Sequence, residues 1–224
     1  MRKVVLMIIL IISATSMSGQ TDDDYRMEIG GGLGLTGYLG DFNSNITKDL
    51  KPMLTVVLRR NIDHFMALKL TMSYGKLKGS SAGVDTYYAE YADGKYSFDN
   101  SIADANLIYE YNFWPYGTGN DYRGAKRFTP FVSGGIGMTY CDCSNNVFTA
   151  NIPLGVGLKY KIGERLNAGL EWAMHFSLSD RLDGVKDPYG INSSGLFKNT
   201  DCYSSLLLTI TYSFMPKCTT CNKE

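Results

Sequence analysis

A histidine near serines and carboxylates can run general-base hydrolysis, and a Cys-x-x-Cys pair can do redox or metal chemistry. This chain offers both. His175 follows Glu171 by four residues and precedes Asp180 by five, with serines nearby. Nothing in that stretch marks a nucleophile, so hydrolysis is the weaker reading. Cys218 and Cys221 form the second pair. They are open to a local or intermolecular disulfide, a redox role, half a metal site, or no function. A structural zinc needs two more ligands, and a thioredoxin-like pair needs a βαβ context; neither accompanies them. His64 and His175, the two histidines, make no metal cluster. Gly30 to Gly34 lies inside a strand-like run with no helix after it, so it is no phosphate loop. No catalytic residue, metal or cofactor is expected.

The segment that carries Glu171 and His175 alternates strictly. Ala168, Leu170, Trp172, Met174, Phe176 and Leu178 interleave with Asn167, Gly169, Glu171, Ala173, His175 and Ser177. A strand sends successive side chains to opposite faces, so one face here is bulky and apolar and the other small and polar. The pattern recurs over eight segments: 27–39, 53–60, 65–76, 102–113, 128–140, 150–162, 167–178 and 203–214. A face with Glu and His is no core for a small soluble sandwich. A membrane barrel inverts the arrangement, with lipid outside and polar side chains in the lumen. The expectation is an all-β, eight-stranded antiparallel transmembrane barrel.

Composition agrees with an exported membrane protein. The 22 basic residues equal the 22 acidic ones, so no basic excess exists to neutralise nucleic-acid phosphates. Tyr (16) and Phe (10) suit strands and membrane interfaces. Arg2 and Lys3 precede the apolar run Val4 to Ile12, then a small polar stretch, as in a secretory signal. That run is too short to cross a bilayer as a helix. The expected division is a signal peptide at 1–20, a barrel at 21–215 and a Cys-containing tail at 216–224. An even strand count returns both ends of the barrel to the periplasm, on the side of the short turns. Turns at 60–64 and 163–165 are short, whereas 75–100 and 179–201 read as long outer loops. The stretch from Trp114 to Arg127 is long yet falls on the short-turn side.

The charges on the inward face are Glu28, Arg59, Lys69, Glu110, Lys159, Lys161, Glu171 and His175. Eight strands leave a lumen just wide enough to be filled by side chains. Opposite charges there must pair, since a lone buried charge costs several kcal/mol. The expectation is a salt-bridged plug that stabilises the barrel. The expected partner-binding residues are Trp114, Tyr116, Tyr122, Arg123 and Arg127 in the long turn, and Cys218 and Cys221 in the tail. Exposed aromatics beside arginine make interface anchors; the equal alternative is an aromatic belt touching lipid head groups. Five cysteines follow the signal, so at least one is unpaired or bonded to a partner. Cys141 and Cys143 flank Asp142 at the outer end of the fifth strand, and Cys202 opens the eighth. A bridge between those strands requires outer loops folded across the rim; free or loop-local thiols are the other reading.

Several stretches carry a family resemblance. They are Glu28-Ile29-Gly30 leading to Tyr38-Leu39-Gly40-Asp41-Phe42-Asn43, and Phe113-Trp114-Pro115-Tyr116-Gly117. Next come Arg127-Phe128-Thr129-Pro130-Phe131, Gly134-Gly135-Ile136-Gly137 and the run Ile152 to Tyr160. Leu170-Glu171-Trp172 and Leu182-Asp183-Gly184-Val185 close the series. In order and spacing they resemble the PorG-like outer-membrane barrels of the type IX secretion system of Bacteroidetes. The resemblance implies a non-enzymatic barrel in the outer membrane. It also implies partners: outer-membrane lipid, and the lipoprotein of a periplasmic secretion ring with that lipoprotein's own partner. A structural barrel or small-solute channel of a divergent paralogue is the alternative. Tyr212-Ser213-Phe214 resembles the aromatic terminus that outer-membrane insertion machinery recognises.

Overall fold

In the computed structural model the described residues are 25–39, 50–80, 97–117, 125–143, 146–163, 165–178 and 202–216. Eight strands run in chain order: β1 Tyr25–Leu39, β2 Lys51–Asn61, β3 Met66–Ser80, β4 Ser97–Asn112, β5 Phe128–Asp142, β6 Val147–Lys161, β7 Leu166–Ser177 and β8 Cys202–Pro216. Each pairs antiparallel with the next, and β1 pairs with β8 to close a barrel. That closing ladder runs from Tyr25 opposite Pro216 to Leu39 opposite Cys202. The closed sheet leaves no edge.

The wall is inverted relative to a soluble protein. Leu33, Ile136 and Phe148 are each about two-thirds exposed (65%, 68% and 68%) on the outside. Glu28, Lys69 and Glu110 on the inside are at most 1% exposed. Strands of 11 to 16 residues meet or exceed the ~9–11 needed to cross a bilayer at a tilt.

The surplus lies at the long-loop end. The sequence places a loop from Gly75 to Asn100, but β3 and β4 stay paired out to Ser80 opposite Ser97. Lys76, Lys78, Asp99 and Asn100 lie in this extension, so the hydrophobic alternation fades although the ladder continues. At the opposite, short-turn end β8 runs two residues past the expected Phe214, to Pro216.

Short turns follow from local capping. In the β2–β3 turn, Asp63 Oδ1 accepts from the backbone N–H groups of Phe65 and Met66, both at 2.7 Å. The β6–β7 turn closes with Ile162 N donating to Leu166 O at 2.9 Å.

Candidate functional site

All eight inward charges expected from the sequence lie inside the barrel, each at most 8% exposed. Cross-strand register brings the first of them together. Glu28 stands opposite Arg59 between β1 and β2, and Arg59 opposite Lys69 between β2 and β3. Arg59 Nη1 meets Glu28 Oε2 at 2.6 Å and its Nε meets Glu110 Oε2 at 2.8 Å, the latter an ionic contact with poor hydrogen-bond alignment. Lys69 Nζ bridges Glu110 (2.8 Å) and Glu171. Lys159 Nζ crosses the lumen to Glu110 Oε2 at 2.6 Å and to Asn112 Oδ1 at 3.0 Å. Glu110 thus holds three cations. The remaining carboxylate valences are also met: Asn61 and Thr211 donate to Glu28 at 2.9 Å each, and Ser133 donates to Glu171 at 2.8 Å. Phe131 lies beneath the cations, with Lys159 Nζ 4.6 Å and Lys69 Nζ 5.8 Å from its ring centre. Its ring fills the space that the missing side chain of Gly157 leaves.

Towards the long loops the lumen turns from the ion-pair network to a hydrogen-bonded polar layer and then to an apolar one. His175 Nε2 meets Ser205 Oγ at 3.1 Å, and its ring stacks on Tyr203 at 4.4 Å. Tyr203 donates to Asp104 at 3.3 Å, and Asn106 donates to Asp104 at 2.7 Å. Asp104 and Tyr203 were missed from sequence. The signal for Asp104 was present: it lies two and six residues before Asn106 and Glu110, on the same face of β4. His175 therefore does meet a serine, but both are buried, beneath an apolar cap. Asp180 lies outside the described residues. The cap consists of Tyr38, Met53, Leu77, Phe98, Ile102, Cys141, Cys143, Tyr203 and Leu207. Cys141 and Cys143 are joined to each other in a disulfide, with Cα atoms 5.4 Å apart; Cys202 is not part of it. A bridge from Cys202 across the rim is thereby corrected. β5 ends at Asp142, the residue between the two cysteines, and Cys143 lies in a bend.

At the short-turn end one expectation is overturned. Tyr116, expected from the sequence among the partner-binding residues, is 8% exposed and folded into the barrel mouth. Its hydroxyl donates to Asn167 Oδ1 at 3.1 Å, and Lys161 Nζ lies 5.5 Å from its ring centre. Tyr116 N donates to His64 O at 3.0 Å, and His64 Nδ1 lies 3.3 Å from Tyr116 O. Residues 114–117 and 125–127 thus form the two arms of a strap, bridged between Tyr116 and Lys126. The physical reason is that a mouth lined by Lys159, Lys161 and Asn167 offers a buried tyrosine both a hydrogen bond and cations over its face. Trp114, 40% exposed, lies instead on the outer wall, 5.7 Å from Phe128 and capped by Lys126 at 4.7 Å. Arg127 is exposed. Tyr122, Arg123, Cys218 and Cys221 lie outside the described residues.

Tyr116→Phe is expected to cost about 1 kcal/mol, because Asn167 Oδ1 loses its donor. Burial, with Glu28 and Glu110 adding to it, pushes the Tyr116 phenol above its ordinary value. The folded state therefore favours the neutral phenol. Its contribution is complete below the unfolded pKa of about 10 and is lost as pH rises beyond it. Urea midpoints between pH 9 and 12 should fall more steeply for the native chain than for Tyr116→Phe; parallel curves would refute this.

A closed eight-stranded sheet with an apolar exterior and a charged, filled lumen defines a membrane-spanning β-barrel. The chain belongs to the family described as a domain of unknown function, DUF6089, whose model matches residues 2–223. No curated protein matches it in sequence. Among solved structures it is similar to the N-terminal β-barrel domain of Pseudomonas aeruginosa OprF, at 13% identity and a TM-score of 0.46, covering 85% of this chain and 98% of that one. It is also similar to Neisserial surface protein A, at 12% identity and 0.49, covering 84% and 97%. A third is Ail, the attachment invasion locus protein of Yersinia pestis, at 6% and 0.48, covering 85% and 99%.

Proposed function

We propose that this chain is a non-catalytic outer-membrane barrel that anchors or organises the periplasmic ring of a type IX protein secretion system. Its partners there are the ring lipoprotein and that lipoprotein's own partner. The observation that carries the reading is the strap. A segment long for a short-turn side is fixed by both arms across the barrel mouth, and the sequence between the arms contains Tyr122 and Arg123, which we assign to periplasmic protein. β8 ends at Pro216 at the same end of the barrel, and Cys218 and Cys221 follow it in the sequence. The filled lumen favours an anchor over the alternative, a small-solute channel, because Glu110 and its three cations occupy the bore.

The test places a photo-crosslinker at Tyr122 in the full chain, in cells of its own host. Recovery of a ring lipoprotein and loss of secretion on deletion are the expected results. Normal secretion in the deletion strain, with no ring protein recovered, sinks the proposal. Steady conductance of the purified barrel in a planar bilayer would favour the channel.

A further inference from the structure

Two cation–aromatic clamps sit on the outer wall at the short-turn end. In the first, Arg165 of the β6–β7 turn donates from Nε to the Tyr25 hydroxyl and from Nη1 to the Tyr212 hydroxyl, both at 3.1 Å. Its guanidinium lies 5.2 Å from the Tyr25 ring centre. In the second, Lys126 Nζ lies over Trp114, whose ring packs on Phe128. The first clamp spans β7, β8 and β1, and the second sits where β4 passes to β5. In a ring of eight strands they stand half a circumference apart.

Among the described residues each clamp leaves donors unspent. The two tyrosine hydroxyls accept from Arg165 and so keep their own O–H groups free to donate. Arg165 keeps Nη2, and Lys126 keeps its ammonium hydrogens. Among the described residues, neither cation has a carboxylate within ion-pair distance. The rings beneath them belong to the wall that faces lipid: Tyr212, Trp114 and Phe128 are 46%, 40% and 38% exposed. Aromatic rings settle at the level of head groups, and basic side chains there reach for phosphate. We propose that these two clamps bind the phosphodiester groups of glycerophospholipids in the leaflet at the short-turn end, one on each side of the barrel. An oxygen of the phosphate takes the place that a carboxylate would fill. The Tyr25 and Tyr212 hydroxyls and Arg165 Nη2 converge on it in the first clamp, and the ammonium of Lys126 meets it in the second. The inference does not depend on a secretion role.

The test is native mass spectrometry of the full chain, released from nanodiscs of phosphatidylglycerol mixed with diacylglycerol, which lacks the phosphate. The native barrel should retain phosphatidylglycerol in preference. Arg165→Gln with Lys126→Gln should lose retention by about fivefold per cation removed. Lys51→Gln, a cation at the opposite end paired with Asp99 at 3.2 Å, should behave as the native chain. Equal retention by the double variant, equal retention of diacylglycerol, or an equal loss in Lys51→Gln would overturn the proposal. Displacement of the lipid by millimolar inorganic phosphate would overturn it too, by assigning the clamps to a free anion. Heat-modifiable gel mobility checks folding. Should the double variant fail to fold, Tyr25→Phe with Tyr212→Phe keeps the cation and rings but removes two donors. Retention should then fall, and unchanged retention would count against the first clamp.

Discussion

Glu110→Gln is expected to destabilise the barrel by about 3–5 kcal/mol, the usual penalty for breaking a buried ion pair from one side. The carboxylate of Glu110 is the shared anion of Arg59, Lys69 and Lys159, at 2.8, 2.8 and 2.6 Å. Arg59 retains Glu28 and Lys69 retains Glu171, but Lys159 retains only the neutral Asn112 among its hydrogen-bond partners. The largest part of the cost therefore falls on Lys159. Adding Lys159→Met to Glu110→Gln should return part of the loss, and the double-mutant cycle should show a coupling of about 1–3 kcal/mol. The contrast is Asp99→Asn, which removes an exposed pair with Lys51 and should cost under about 1 kcal/mol. Urea unfolding in detergent, read by heat-modifiable mobility, measures all four. A Glu110→Gln cost as small as that of Asp99→Asn would show that the lumen network contributes little.

The second large effect belongs to the seam that closes the barrel. Gly30, Gly32 and Gly34 share the lumenal face of β1, and each presses against β8. A methyl group on Gly30 would collide with the carbonyl of Ile210 and come within 2.6 Å of Thr211 Cα. Both obstacles are backbone, which a rotamer change does not relieve. Gly30→Ala should therefore cost about 3 kcal/mol, at the upper end of the overpacking range. Gly163→Ala, in the β6–β7 turn with open space around it, should stay within about 0.5 kcal/mol. The same unfolding assay compares them. Equal stability of the two variants would refute a steric role for the β1 glycines.

The barrel was legible because its signal is local and repeated. Every strand carries the alternation across the lipid belt, so Glu28, Lys69, Glu110 and Glu171 were assigned inward by parity alone. The same rule covers Asp104, but the small Ala103 and Ala105 on the opposite face blur the alternation there. What parity does not carry is any residue off the strands. Tyr116 follows Pro115 in irregular chain, where an aromatic beside glycine and arginine reads as an exposed anchor. Its burial depends on Asn167 and Lys161, which lie 51 and 45 positions further along the chain. The pairing of Cys141 with Cys143 was equally out of reach, since it depends on how far the backbone bends at Asp142. The strands of β3 and β4 beyond Gly75 were missed for the opposite reason: their ladder persists where the lipid, and with it the hydrophobic code, has ended.

The distance along the chain between Tyr116 and its seat also orders events in time. The strap emerges between β4 and β5, but Asn167 arrives only with β7. A chain threading its strands in order must hold Tyr116 unseated until most of the wall exists. The Tyr116 hydroxyl finds its acceptor only where β7 stands in the wall, so a single hydrogen bond ties the β4–β5 connection to a strand that comes later in the chain.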